Sequence, residues 1–405
     1  MSRINFGRLP SGSSWQEEAV TPRLREIPPS GIRAFFDLAA GNNDIISLGV
    51  GEPDFATPKQ VRAACIRALD RGETGYTSNS GLPELREEIA GYLETGFGLR
   101  YDPANEILVT VGSSEAVDLA LRAFIAPGDE VLIPDPGYVA YAPIAHLNGG
   151  TLAAVETKAE EGFKLTAEAL RRAITPRSKL LIVNFPSNPT GAVMTYEDWL
   201  PVAEVVKEHG LIVISDEIYA ELTYDSKHVS IASLPGMMER TVVISGFSKA
   251  FAMTGWRVGY ACGNRGLLSA MLKIHQYTAM CAPLPGQIAA VEALRSALPD
   301  KDYMKERFRE RRTLFVEGLR AAGLPCHMPQ GAFYTFASIS RTGMGSEEFA
   351  LRLLKEAGVA VVPGHVFGAG GDGYIRCSYA ASTAKLTEAL ERLDSFMKVK
   401  NLIVS

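Results

Sequence analysis

TVVISGFSKAFAMTGWRVGY, residues 241–260, joins a short apolar run to a segment that carries two cations, Lys249 and Arg257. The run TVVIS is β-branched and continuously apolar, which reads as a strand buried on both faces. Around the two cations everything is small, apolar or aromatic. A lone ammonium and a lone guanidinium entering such a crowded region require partners, because an unpaired buried charge is costly. The question is what they face.

Working outward, strands and helices alternate. EILVTV (106–111), EVLIP (130–134), TLAAV (151–155), KLLIVN (179–184) and LIVIS (211–215) read as strands like TVVIS. Helical patterns at 113–125 and 196–209 fall between them. Short apolar strands alternating with helices predict a mostly parallel sheet covered on both faces, an α/β fold. Two amphipathic helices between about 57 and 95 flank the loop GETGYTSNSG (72–81). Beyond about 290 the texture changes to a long helix around 303–322, strands FYTFA and YIRCSYA, and helices at 346–357 and the C-terminus, as in a smaller α+β domain. The expected division is an arm and joining segment over 1–55, with helical periodicity in IRAFFDLAA (32–40), a large domain over 56–290 and a small one over 291–405. In KERFRERR (305–312) glutamates interleave with the basic residues, so a solvated helix face is expected rather than a nucleic-acid patch.

The chain's 405 residues are 46% hydrophobic and 21% charged, with 41 basic and 46 acidic side chains and a net charge of −5. That balance argues against a general nucleic-acid or membrane-surface binder. Five scattered cysteines without C-x-x-C suit a reducing cytoplasm, and no histidine pairing suggests a metal site. Neither a membrane span nor a secretory signal is expected.

In open parallel sheets ligands gather at the carboxyl ends of the strands. Four such ends carry polar groups here. ILVTV leads into GSSEAV, whose Ser113 and Ser114 open a helix and suit an anion. LLIVN leads to FPSNPTG and Asn188; LIVIS to DEIY with Asp216 and Tyr219; TVVIS to Ser248 and Lys249. No P-loop or G-x-S-x-G elbow is present, and G-V-G at 49–51 lacks the third glycine of a dinucleotide fingerprint. A lysine nucleophile, a carboxylate for a pyridinium nitrogen and an anion cradle are together what pyridoxal 5′-phosphate needs.

GFSKAFAMTGWRVG resembles the lysine-attachment signature of the class I/II aminotransferases, of fold type I, in the flavour of the prokaryotic aspartate/aromatic branch. NPTG, D-E-x-Y, Y-x-R-x-S-Y-A and LGVGEPDF agree with it in type and order. The resemblance spans about residues 30–400 and implies a seven-stranded, mostly parallel sheet in a large domain beside a smaller α+β domain. It implies that Lys249 attaches the cofactor and moves the proton, that Asp216 pairs with the ring nitrogen, and that Tyr219 and Asn188 bond the phenolic oxygen. Arg257, Ser248 and the N–H groups of Ser113 and Ser114 would hold the phosphate, and Tyr138 would stack on the ring. Arg376 would grip the substrate α-carboxylate, with Gly51 close by and Asn188 and Tyr138 lining the substrate. Tyr76 would reach the neighbouring subunit's phosphate in a homodimer. The implied reaction is ping-pong transfer from an aspartate- or aromatic-class amino acid to a 2-oxo acid such as 2-oxoglutarate. A carbon–sulfur β-lyase on the same cofactor stays open. Glu217 reads as structural, and Ile32, Phe36 and Phe333 could either line a pocket or pack the core.

Overall fold

A computed structural model describes residues 19–29, 31 and 44–399. The expected helix at 32–40, with Ile32 and Phe36, lies outside the described residues. After β1 (Ile46–Ser47), the large sheet is built from β2 (Ile107–Thr110), β3 (Glu130–Asp135), β4 (Thr151–Glu156), β5 (Ser178–Asn184), β6 (Ile212–Asp216), β7 (Thr241–Gly246) and β8 (Gly259–Cys262). Its spatial order is β2-β8-β7-β6-β5-β3-β4, parallel except that β8 runs antiparallel to both neighbours.

The apolar runs are explained by what each face meets. In β5, Leu180 and Ile182 pack into one cluster with Ala116, Leu119 and Ala120 of the helix Gly112–Phe124. Leu181 and Val183 point the other way, onto Trp199, Val202 and Val206 of the helix Tyr196–Glu208. Successive side chains of a strand alternate faces, so a strand sandwiched between helices must be apolar at every position. The helix Tyr196–Glu208 starts on a reciprocal cap: Asp198 N–H donates to Thr195 Oγ1 at 3.2 Å and Thr195 N–H to Asp198 Oδ2 at 2.8 Å, which satisfies two donors that helical geometry leaves free.

The C-terminal part contributes β9 (Tyr334–Ser338), β10 (Val359–Ala360), β11 (Val362–Pro363) and β12 (Tyr374–Ser378). Strands β11, β12 and β9 form an antiparallel sheet, and β10 pairs in parallel with β1. The long helix Leu298–Ala321 corrects one expectation. Arg307 and Arg309 do sit among glutamates, but Arg311 and Arg312 are buried. Arg311 Nη1 donates to Asp54 Oδ1 at 2.7 Å and lies over the Phe55 ring; Arg312 Nη1 donates to Asp225 Oδ2 at 2.7 Å and lies over Tyr224. Their long apolar stems and planar heads make them struts between segments distant in sequence, not a solvated face.

Candidate active site

The carboxyl ends of β5, β6 and β7 and the start of the helix Gly112–Phe124 open into one cavity of about 260 Å³. Gly51, Ser113, Ser114, Tyr138, Asn188, Asp216, Tyr219, Ser248, Lys249, Arg257 and Arg376 all line it. Tyr76, also given a cofactor role from sequence, is not among the lining residues; it is 85% exposed.

Asp216 ends β6 and is buried. Burial pushes its carboxyl up to about 6, while a hydrogen bond from Tyr141 and another from the Ile218 N–H pull the other way. Tyr141 Oη donates to Oδ2 at 2.7 Å and Ile218 N–H to Oδ1 at 3.2 Å. Asn184 Nδ2 donates to the Asp216 carbonyl at 2.9 Å, and Asn184 Oδ1 accepts the Asn188 N–H at 2.9 Å. Next to it, Glu217 turns away from the cavity and accepts from Ser215 and Ser230 hydroxyls, with His228 Nε2 at 2.7 Å. It is structural.

Lys249 stands on the other wall, its Nζ donating to the Gly51 carbonyl at 2.7 Å. Burial lowers its ammonium to about 8, opposed by Glu52 and Asp216 and helped by Arg257 and Arg376. An amine in that range is available as a nucleophile or base near neutral pH.

Arg257 holds a left-handed backbone, φ 53° and ψ 54°, a conformation uncommon for a residue with a side chain and often found at functional positions. Its guanidinium crosses above Gly112, where a Cβ would come within 2.3 Å of Nη2. Gly112 itself has φ 75°, so the position demands glycine twice over. From the other side Gly259 presses so close that a Cβ there would meet the Ser113 nitrogen at 2.4 Å. The helix has no side-chain cap. Free N–H groups, a helix N-terminus and a guanidinium thus converge where an anion such as phosphate is favoured.

Arg376, in β12, is buried. Its Nη1 donates to Asn188 Oδ1 at 2.9 Å and its Nη2 to the Gly49 carbonyl at 2.5 Å, with the Tyr334 ring 4.4 Å and the Phe367 ring 4.9 Å from the guanidinium carbon. Nε has no partner among the described residues. A buried guanidinium with no carboxylate paired to it among the described residues is poised for an anionic guest. Tyr219 and Tyr334 hydroxyls lie 2.8 Å apart. Phe333, by contrast, is fully buried against Tyr219, Phe308 and Tyr334 and belongs to the core.

Three contributors were not foreseen from sequence: Tyr141, Asn184 and Tyr334. Tyr141 follows Tyr138 by three residues, and the paired tyrosines of DPGYVAY are the one signal that could have pointed to it.

The donor set fits pyridoxal 5′-phosphate: an amine of lowered pKa, a buried carboxylate on the same cavity, and an anion cradle beside both. A sheet of this topology with such a cavity at its carboxyl edge defines a fold type I, pyridoxal-phosphate-dependent enzyme. The family model for class I and II aminotransferases matches residues 43–393. YugH of Bacillus subtilis is 56% identical over 92% of this chain and 97% of its own length. An aspartate aminotransferase of Pyrococcus abyssi is 46% identical over 95% of this chain and all of its own. The crystal structure of an aromatic aminotransferase from Pyrococcus horikoshii OT3 superposes with a TM-score of 0.88 at 44% identity, over 92% of this chain and all of that one. The chain belongs to the class I and II aminotransferase family; it is a pyridoxal-phosphate-dependent transaminase.

Proposed function

We propose that this enzyme moves the amino group of an L-amino acid of the aspartate or aromatic class to a 2-oxo acid such as 2-oxoglutarate, in two half-reactions that use one cavity in turn. The observation that carries the reading is that Lys249 and Asp216 share a cavity flanked by two guanidinium groups. Relatives named as aspartate and aromatic aminotransferases support the substrate range.

When bound, pyridoxal 5′-phosphate supplies an aldehyde that an amine can take and a ring that accepts electrons from the substrate α-carbon. Lys249 would provide that amine and would carry the proton to and from the substrate α-carbon. Asp216 would keep a proton on the ring nitrogen, and Tyr219 and Asn188 would bond the phenolic oxygen. Arg257, Ser248 and the Ser113 and Ser114 N–H groups would hold the phosphate, and Tyr138 would stack on the ring. Arg376 takes the substrate α-carboxylate in a two-pronged grip beside Gly51, which fixes which α-carbon bond faces Lys249. The proposed division is a cofactor-binding unit over 56–290, a smaller unit over 291–405, and an N-terminal arm and segment joining the small domain over 1–55. In a homodimer the exposed Tyr76 reaches the neighbouring subunit's phosphate.

A panel of amino donors with 2-oxoglutarate tests this. Glutamate formation with parallel double-reciprocal lines is expected for at least one aspartate- or aromatic-class donor. Ammonia and pyruvate without glutamate would instead indicate a carbon–sulfur β-lyase, and a Lys249→Ala protein transaminating at near parent rate would defeat the assignment.

A further inference from the structure

Glu115 sits one residue past Ser114 in the first turn of the helix Gly112–Phe124, yet it does not line the cavity. Its two oxygens are both engaged behind the cradle. Oε2 accepts the Val111 N–H at 2.5 Å, and Oε1 accepts from His275 Nδ1 at 2.7 Å. His275 comes from the helix Arg265–Thr278, 160 residues away in sequence, and its side chain is 0% exposed. Its Nε2 has no partner among the described residues, so the Nδ1–H bond to Glu115 is the hydrogen bond that fixes the imidazole. Thr110 Oγ1 donates to the Gly112 carbonyl at 2.9 Å, which pins the adjoining peptide.

A carboxylate this close to an anion site opposes the anion unless it is turned aside and held. Here it is held by an imidazole N–H and takes up the N–H of Val111, the residue just before the cradle. The N–H groups of Ser113 and Ser114 stay free of it. We propose that Glu115 and His275 are a positioning pair that sets the Val111–Ser114 backbone as a preformed phosphate cradle. The pair touches neither cofactor nor substrate. This inference rests on the reading of Ser113, Ser114 and Arg257 as the phosphate site. Releasing Glu115 leaves a buried donor or acceptor unsatisfied, which is worth about tenfold in affinity.

The test separates the phosphate from the rest of the cofactor. Full-length parent and variants, stripped of cofactor, are titrated spectroscopically with pyridoxal 5′-phosphate and with pyridoxal, which lacks the phosphate. Glu115→Ala and His275→Leu are expected to weaken the phosphorylated form about tenfold while pyridoxal affinity changes less than about twofold. His275→Asn, whose amide N–H replaces Nδ1–H, should restore most of the loss. Arg257→Ala is the control for the site itself. Should Arg257→Ala leave the ratio of the two affinities unchanged, the phosphate reading fails. Should it lower the ratio while Glu115→Ala and His275→Leu keep the parent ratio, or weaken both ligands equally, the positioning pair is overturned.

Discussion

Lys249 has a pKa of about 8, against about 10.4 for an unperturbed lysine. Below about 8 its neutral fraction falls roughly tenfold per pH unit. Uptake of pyridoxal 5′-phosphate by the stripped protein, followed by absorbance, should therefore quicken from pH 6 to about 8 and then level off; a rise that continues to pH 10 would contradict the lowered value. Tyr141→Phe removes the 2.7 Å bond to buried Asp216. That bond holds the carboxyl below where burial alone would put it, so its loss raises the Asp216 pKa further. The cost is about 1–3 kcal/mol, and kcat should fall about tenfold at neutral pH and recover partly as pH rises. Lys249 and Asp216 were readable in sequence because their motifs cluster at strand ends, whereas the arginines were placed through the family resemblance. Tyr334 was not, because its hydroxyl meets Tyr219 from a strand 115 residues away, and no local pattern encodes that meeting.

Strand β8 is one element that sequence reading missed, as are the helices Arg265–Thr278 and Leu284–Ser296. GYAC is four residues long, opens with glycine and follows β7 by a loop that carries Lys249 and Arg257. The other six strands of the sheet announced themselves through apolar, often β-branched runs, whereas β8 is defined by whom it pairs with. Its glycine is nonetheless decisive, since Gly259 lies against both Ser113 and β7, where a Cβ at Gly246 would meet the Gly259 Cα at 2.9 Å. Gly259→Ala should force β8 off the cradle, costing about 1–3 kcal/mol by overpacking and lowering Tm together with cofactor affinity. Calorimetry and cofactor titration on one preparation check both. The helix Leu298–Ala321 was placed correctly as an element but not in its burial. Asp54 and Asp225, which pair with Arg311 and Arg312, lie far from it in the chain, and charge pattern alone cannot show them.

Across the whole molecule, large apolar side chains stay exposed on neighbouring parts of the surface. Tyr76, Tyr277, Met280, Ile66 and Leu69 are among them, and Asn79 Nδ2 donates to the Met280 carbonyl at 2.8 Å, which brings the Tyr76 loop against the end of the helix Arg265–Thr278. Exposed apolar surface of this kind suits the subunit interface of the proposed homodimer. Light scattering should give the mass of a dimer. Mixing Lys249→Ala with Tyr76→Ala protein, then unfolding and refolding them together, should recover activity neither has alone, because each mixed pair holds one intact site. A last consequence follows from the approach of Gly51 to Tyr334, where an added Cβ would come within 2.2 Å of the phenol oxygen. That ring cannot swing away, pinned as it is over Arg376. Gly51 is therefore not free to drift alone: alanine at 51 should be tolerated only once 334 has become phenylalanine, so any lineage widening this corner for bulkier guests must shed the hydroxyl first.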